Sequence, residues 1–375
     1  MRTSGILMPI ASLPGEYGIG SLGVHARSFA DALAAAGQTV WQILPVGPTG
    51  YGDSPYQSVS AFAGNPYFID LDTLCKEGLL TAAECRSAVH QTERIEYKWL
   101  FETRFALLKK AYERFLGQCP PEWGEFCARE TWWVDDYAMY MTAKAEHDLA
   151  PVAQWPEPLR RREGNTMGRL WFEHQHEIGF YKFLQFEFFC QWREFKTYVN
   201  ERGISLLGDL PIYVSPDSAD VWADPHLFEL DDACRLRRVA GVPPDAFSAE
   251  GQLWGNPLYD WEYHEKTGYE WWTKRLSAAL QLYDEVRIDH FRGFDSYWAI
   301  PATAQSAMSG EWCVGPGMKL FCALEARLGR LPIVAEDLGI LTAGVRELQK
   351  ASGYPGMAVL QFAFGGSAAN EYLPH

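Results

Sequence analysis

Within the first 46 residues an apolar run, a helix-period stretch and a second apolar run follow one another, and this order leaves few folds open. Gly5-Ile-Leu-Met-Pro-Ile10 runs into the glycine-rich turn of residues 12–20, the kind of segment that ends a strand. His25, Phe29, Leu33 and Ala34 then keep helical spacing, and Thr39-Val-Trp-Gln-Ile-Leu-Pro-Val46 is again strand-like. Two strands joined through a helix cannot make a hairpin, so they pair in parallel. Strand-like runs return at residues 203–213, 285–289, 332–339 and 357–364, with helical spacing at 319–328 and 345–350. A further strand-like run, 294–301, follows the 285–289 run.

The expected architecture is α/β, a TIM (β/α)8-type barrel with inserted helical and loop subdomains, in which about six of the eight barrel strands are present. Residues 1–72 would start the barrel with strands one and two and a binding loop. Residues 73–202 form a mainly helical insertion, and residues 203–375 continue the barrel around a further insertion at 215–280. Within the helical part, the aromatics of Phe180-Tyr-Lys-Phe-Leu-Gln-Phe-Glu-Phe-Phe-Cys-Gln-Trp192 fall at helical spacing, which marks a packed face rather than a cofactor box.

The chemistry concentrates at strand ends. Val286 and Ile288 alternate with Arg287 and Asp289, so a strand points the two aliphatics to one face and the charged pair to the other. Strand C-termini of a parallel barrel carry its active site, which makes Asp289 a candidate nucleophile kept ionised by Arg287; a structural Arg-Asp pair capping the strand is the alternative. Residues 332–339 end in Glu336 and Asp337, and residues 203–213 carry Asp209. A carboxyl pair that does nucleophilic and acid/base work needs one member ionised and the other protonated, close together. Like charges so close raise one pKa, so Asp289 is assigned as nucleophile and Glu336 as acid/base. Asp337 is read as a supporting or capping group, although the residues alone allow it to exchange roles with Glu336.

Charge and composition narrow the partners. A net charge of -15 repels phosphate backbones and argues against nucleic acid. No apolar run reaches membrane-spanning length, and the proline-broken first 14 residues make a poor signal peptide, so a cytoplasmic protein is expected. Eight cysteines lack a Cys-x-x-Cys pair, which reads as free thiols with neither zinc site nor disulfide framework. No cofactor and no metal are expected. Fifteen tryptophans and 14% aromatic residues suit a neutral sugar, whose C-H faces gain dispersion contact on flat rings.

Three motifs, Tyr51-Gly-Asp-Ser-Pro-Tyr56, Glu285-Val-Arg-Ile-Asp-His-Phe-Arg-Gly293 and Ile333-Val-Ala-Glu-Asp-Leu-Gly339, together resemble the 4-alpha-glucanotransferase (amylomaltase, disproportionating enzyme) family of α-amylase-like glycoside hydrolases. The resemblance implies transfer of α-1,4-glucan segments between maltooligosaccharides through a covalent glucosyl-Asp289 intermediate. It also implies sugar contacts from Tyr51, Asp53, Ser54 and Tyr56 in the loop after strand two, a holding role for Asp209, and orientation of nucleophile and substrate by Arg287 and His290. Residues 241–257 resemble the family's mobile flap, with Phe247, Trp254 and Asn256 able to touch sugar.

The family has a further strand ending in a His-Asp pair that this sequence does not match. The expectation is therefore an N-terminal part of a longer enzyme, or a truncated relative, lacking the last two βα units. Rival readings are a non-catalytic maltodextrin binder or inactive truncated homologue, an α-glucan hydrolase, and a metal-dependent barrel enzyme using Asp209, Asp289 and Glu336, which Arg287 would oppose.

Overall fold

The computed structural model describes residues 3–244, 248–338, 341–366, 370 and 372–373. Among them nine strands form: β1 Gly5–Leu7, β2 Val40–Gln42, β3 Ser205–Pro211, β4 Arg238–Val242, β5 Gln252–Pro257, β6 Glu285–Asp289, β7 Ser296–Pro301, β8 Glu311–Val314 and β9 Ile333–Ala335. They make two sheets, ordered β1-β2-β3-β6-β9 and β5-β4-β7-β8.

The first sheet is wholly parallel, and a helix precedes each later strand: Val24–Ala35, Gln175–Asn200, Glu270–Leu282 and Met318–Leu328. Burial is deepest at the middle of this sheet, where all five central residues of β3 are buried, and falls to nothing at β1, whose three residues are exposed. Trp41 of β2 is fully buried, its ring 4.8 Å from Phe29 and 5.5 Å from Phe195 on the helices either side. In β3 the crowding leaves no room for a side chain at Gly208, where a Cβ would lie 2.1 Å from the Tyr283 ring. Gly208→Ala should therefore destabilise the chain by roughly 1–3 kcal/mol; a urea midpoint equal to that of the unmodified chain would rule out the clash.

The helix Gln175–Asn200 does two jobs. Phe183, Phe188, Trp192 and Phe195 are buried in the core, so the aromatic stripe is packing. Its two buried amides hold the segment after β2: Gln185 donates to Gly64 O (3.0 Å) and accepts from Gly64 N (2.7 Å), and Gln191 accepts from Asp70 N (2.7 Å). A buried backbone without such partners would leave its polar groups unpaired.

Two expectations are corrected. Residues 357–364 are not a barrel strand. Ala335 N donates to Pro355 O (2.8 Å), but the chain then turns into a short 3₁₀ segment, Leu360–Phe364. The Asn370 amide takes the carbonyls of Phe362 and Gly365, which a sheet ladder would otherwise use. The described residues thus hold five parallel strands rather than six.

Nor is 241–257 a continuous loop. Its ends are β4 and β5, joined to β7 and β8 in an antiparallel sheet. Gly241 permits the close approach of the two strands, since a Cβ there would sit 2.2 Å from Gln252 O. No helix among the described residues is long and apolar enough to cross a membrane, and all eight cysteines are free.

Candidate active site

The parallel register sets β3 beside β6 with Asp209 opposite Arg287 and Pro211 opposite Asp289, and β6 beside β9 with Ile288 opposite Ala335. The alternation in β6 is as the sequence dictates, with Val286 and Ile288 buried and Arg287 and Asp289 partly open. Asp209, Asp289 and Glu336 consequently stand at or just beyond the C-terminal ends of three adjacent strands. Arg287 Nη1 donates to Asp209 Oδ1 (2.6 Å) and Nη2 to Asp289 Oδ1 (2.8 Å). The second oxygen of Asp209 accepts from the Tyr56 hydroxyl (2.7 Å).

These groups are unequally buried. The Asp209 side chain is fully buried, that of Arg287 is 11% exposed and that of Asp289 is 31% exposed. Asp289 alone of the bridged pair is open to a ligand. Burial pushes the Asp209 carboxyl up to about 6 against the pull of Arg287. Burial, reinforced by the nearby Asp289 charge, also raises Glu336 above the ordinary carboxylate range.

Glu336 and Asp337 take different directions. Glu336 Oε2 accepts from His290 N (3.1 Å) and Oε1 from Leu338 N (2.9 Å), while Glu336 N donates to Ile288 O (3.1 Å). That places Glu336 against the residue that follows Asp289. Asp337 instead accepts from the Gln349 amide (2.9 Å) and from Met357 N (3.0 Å). Glu336 thus faces the β6 end and Asp337 the chain behind it.

His290 adopts a left-handed backbone (φ 56°, ψ 45°), uncommon for a residue with a side chain, which lets its N–H reach Glu336. Its ring stands edge-on to Trp254, 4.8 Å between centroids, and burial lowers its pKa to about 3, so the imidazole is neutral. Trp254 and Asn256 come from β5. Asn256 donates to Val214 O (2.8 Å) and accepts from the Gln57 amide (3.5 Å).

A cleft of about 330 Å³ opens here, walled by Tyr56, Gln57, Tyr213, Trp254, Asn256, Asp289 and His290 among others. Aromatic faces with a few convergent polar groups and one accessible carboxylate are suited to holding a neutral polyhydroxyl ligand.

Of the expected contacts in the loop after β2, Tyr56 lines the cleft. Asp53 is exposed in the preceding turn, and the Ser54 hydroxyl accepts from Tyr56 N (3.3 Å) and so shapes the loop. For Tyr51 only the backbone, at the start of that turn, is described; Phe247 lies outside the described residues. Sequence reasoning missed Gln57 and Tyr213, which nothing local sets apart from the chain's other glutamines and tyrosines, and Met357, whose Sδ accepts from Arg287 Nε (3.4 Å). Among the described residues no group of three His, Cys, Asp or Glu is placed to hold a metal ion; Arg287 stands between Asp209 and Asp289.

Comparison with known proteins agrees with this geometry. The family model described as 4-alpha-glucanotransferase matches residues 8–375. The 4-alpha-glucanotransferase of Clostridium butyricum is 46% identical over 98% of this chain and 76% of its own length, and that of Thermus thermophilus 46% identical over 100% and 75%. Among solved structures, amylomaltase from Streptococcus agalactiae in complex with acarbose superposes with a TM-score of 0.95 at 40% identity, covering 99% of this chain and 76% of that one. Amylomaltase from Corynebacterium glutamicum shares the fold, with a TM-score of 0.78 at 22% identity. A sequence match across nearly the whole chain, a superposition of the same extent and a strand-end carboxylate cluster lead to one conclusion: the chain belongs to the 4-alpha-glucanotransferase family.

Proposed function

We propose that the chain transfers α-1,4-glucan segments between maltooligosaccharides by double displacement, with Asp289 as nucleophile and Glu336 as acid/base. The observation that carries the assignment is the asymmetric bridge: Arg287 ties buried Asp209 to accessible Asp289, and the N–H next to Asp289 holds Glu336. Asp289 attacks the anomeric carbon, the glycosidic bond breaks, and Glu336 gives its proton to the departing 4-oxygen. The 4-hydroxyl of a second glucan, deprotonated by Glu336, then displaces Asp289. Asp209 takes no covalent part; it fixes Arg287. Stacking on Trp254 and Tyr56 would favour a sugar acceptor over water, and eight free thiols suit a reducing cytoplasm.

Maltotriose incubated with this chain should yield glucose together with maltodextrins longer than the substrate. Glucose and maltose alone would indicate hydrolysis, and binding without products a non-catalytic module. Because Glu336 must carry its proton to act as acid, kcat/KM should fall on the alkaline side, at a pH above the ordinary glutamate range. Glu336→Gln should lose that limb, falling roughly 10²–10⁴-fold with maltotriose but much less with a maltosyl fluoride donor, whose leaving group needs no proton. An equal loss with both donors would remove Glu336 from the acid role.

A further inference from the structure

Arg287 has three guanidinium nitrogens, and the mechanism above uses two. The third is Nε, which meets the Met357 thioether at 3.4 Å. Met357 is itself held: its backbone N–H donates to Asp337 Oδ1 (3.0 Å), while Gln349, on the helix Ala343–Ser352, donates to Asp337 Oδ2 (2.9 Å). The approach is close enough that residue 356 has to be glycine, since a Cβ there would stand 1.8 Å from Asp337 Oδ2. One hydrogen-bonded chain therefore runs from Gln349 through Asp337 and Met357 to the guanidinium.

We propose that Asp337 and Met357 are positioning residues for transfer, acting through Arg287: they fix the plane of its guanidinium so that its two Nη groups bridge Asp209 and Asp289. This inference rests on the transfer reading above. The chemistry of the third acceptor supports it. A guanidinium is planar with donors in a fixed fork, so tethering Nε sets the direction of both Nη groups. A thioether is a weak, neutral acceptor; it orients Nε–H without adding a third negative charge to compete for the cation that Asp209 and Asp289 share. Asp337, whose two oxygens accept from Gln349 and the Met357 backbone, stands one residue removed from the guanidinium.

The test uses the full chain with Met357→Leu, which keeps the apolar volume but has no acceptor, and Met357→Gln, which returns an acceptor at similar reach. Met357→Leu should lower kcat for maltotriose roughly tenfold with KM within about twofold, and Met357→Gln should restore most of it. The Arg287 Nε–H resonance, identified by its loss in Arg287→Lys, should exchange slowly in the unmodified chain and in Met357→Gln, and faster in Met357→Leu. Unchanged exchange in Met357→Leu would overturn the contact. Faster exchange with unchanged kcat would overturn the positioning role, as would a loss of kcat that Met357→Gln fails to restore. If the unmodified chain makes no product from maltotriose, the transfer reading falls for this chain, and the tether is decided by the resonance alone.

Discussion

Asp289→Asn is expected to reduce maltotriose disproportionation by at least about a thousandfold while the protein stays folded. The amide retains an oxygen that can accept from Arg287 Nη2, so the bridge to Asp209 survives, and the side chain is exposed enough (31%) to tolerate the new N–H. What disappears is the anionic oxygen that would bond to the anomeric carbon. Product ladders and a melting curve measured on the same preparation check both halves. Retention of more than about a tenth of the activity would exclude Asp289 as nucleophile.

The second large effect is thermodynamic. Arg287→Met should cost about 3–5 kcal/mol, because it leaves the fully buried Asp209 carboxylate without its cation, and transfer should fall with it as Asp289 loses its orientation. The effect has a pH signature. Asp209 sits at about 6 in the folded chain, raised by burial above an unfolded aspartate near about 4. A carboxyl whose folded pKa is raised contributes stability below its unfolded value, and that contribution is lost as pH rises through the folded value. Removing Arg287 takes away the strongest pull in the other direction, so Asp209 rises further and the variant loses more stability than the unmodified chain between pH 5 and 7.5. Urea unfolding at those two pH values measures this. An equal deficit at both would mean that Asp209 is not the group left uncompensated.

Both predictions depend on contacts with very different visibility in the sequence. The β6 reading was local: Val286 and Ile288 had to share one face and Arg287 and Asp289 the other, and the burial pattern follows that alternation. Gly241 is less legible for an equally local reason, since glycine marks a turn and a close strand approach alike, and only the neighbouring strand distinguishes them. The run at 357–364 has strand-like composition, yet composition cannot supply a ladder partner, and its Phe362 carbonyl accepts from Asn370 instead.

Five of the six runs expected as parallel strands, the charged face of β6 and the gathering of carboxylates at strand ends were legible in the sequence, because these follow from backbone period and chain order over a few residues; the run at 357–364 was not. Only the tertiary structure decided that Arg287 is shared between Asp209 and Asp289, that Glu336 rather than Asp337 turns toward the β6 end, and that Met357 meets the guanidinium. Those outcomes depend on sheet register between segments up to 78 residues apart and on where a left-handed His290 aims a single N–H, and no local preference along the chain encodes either.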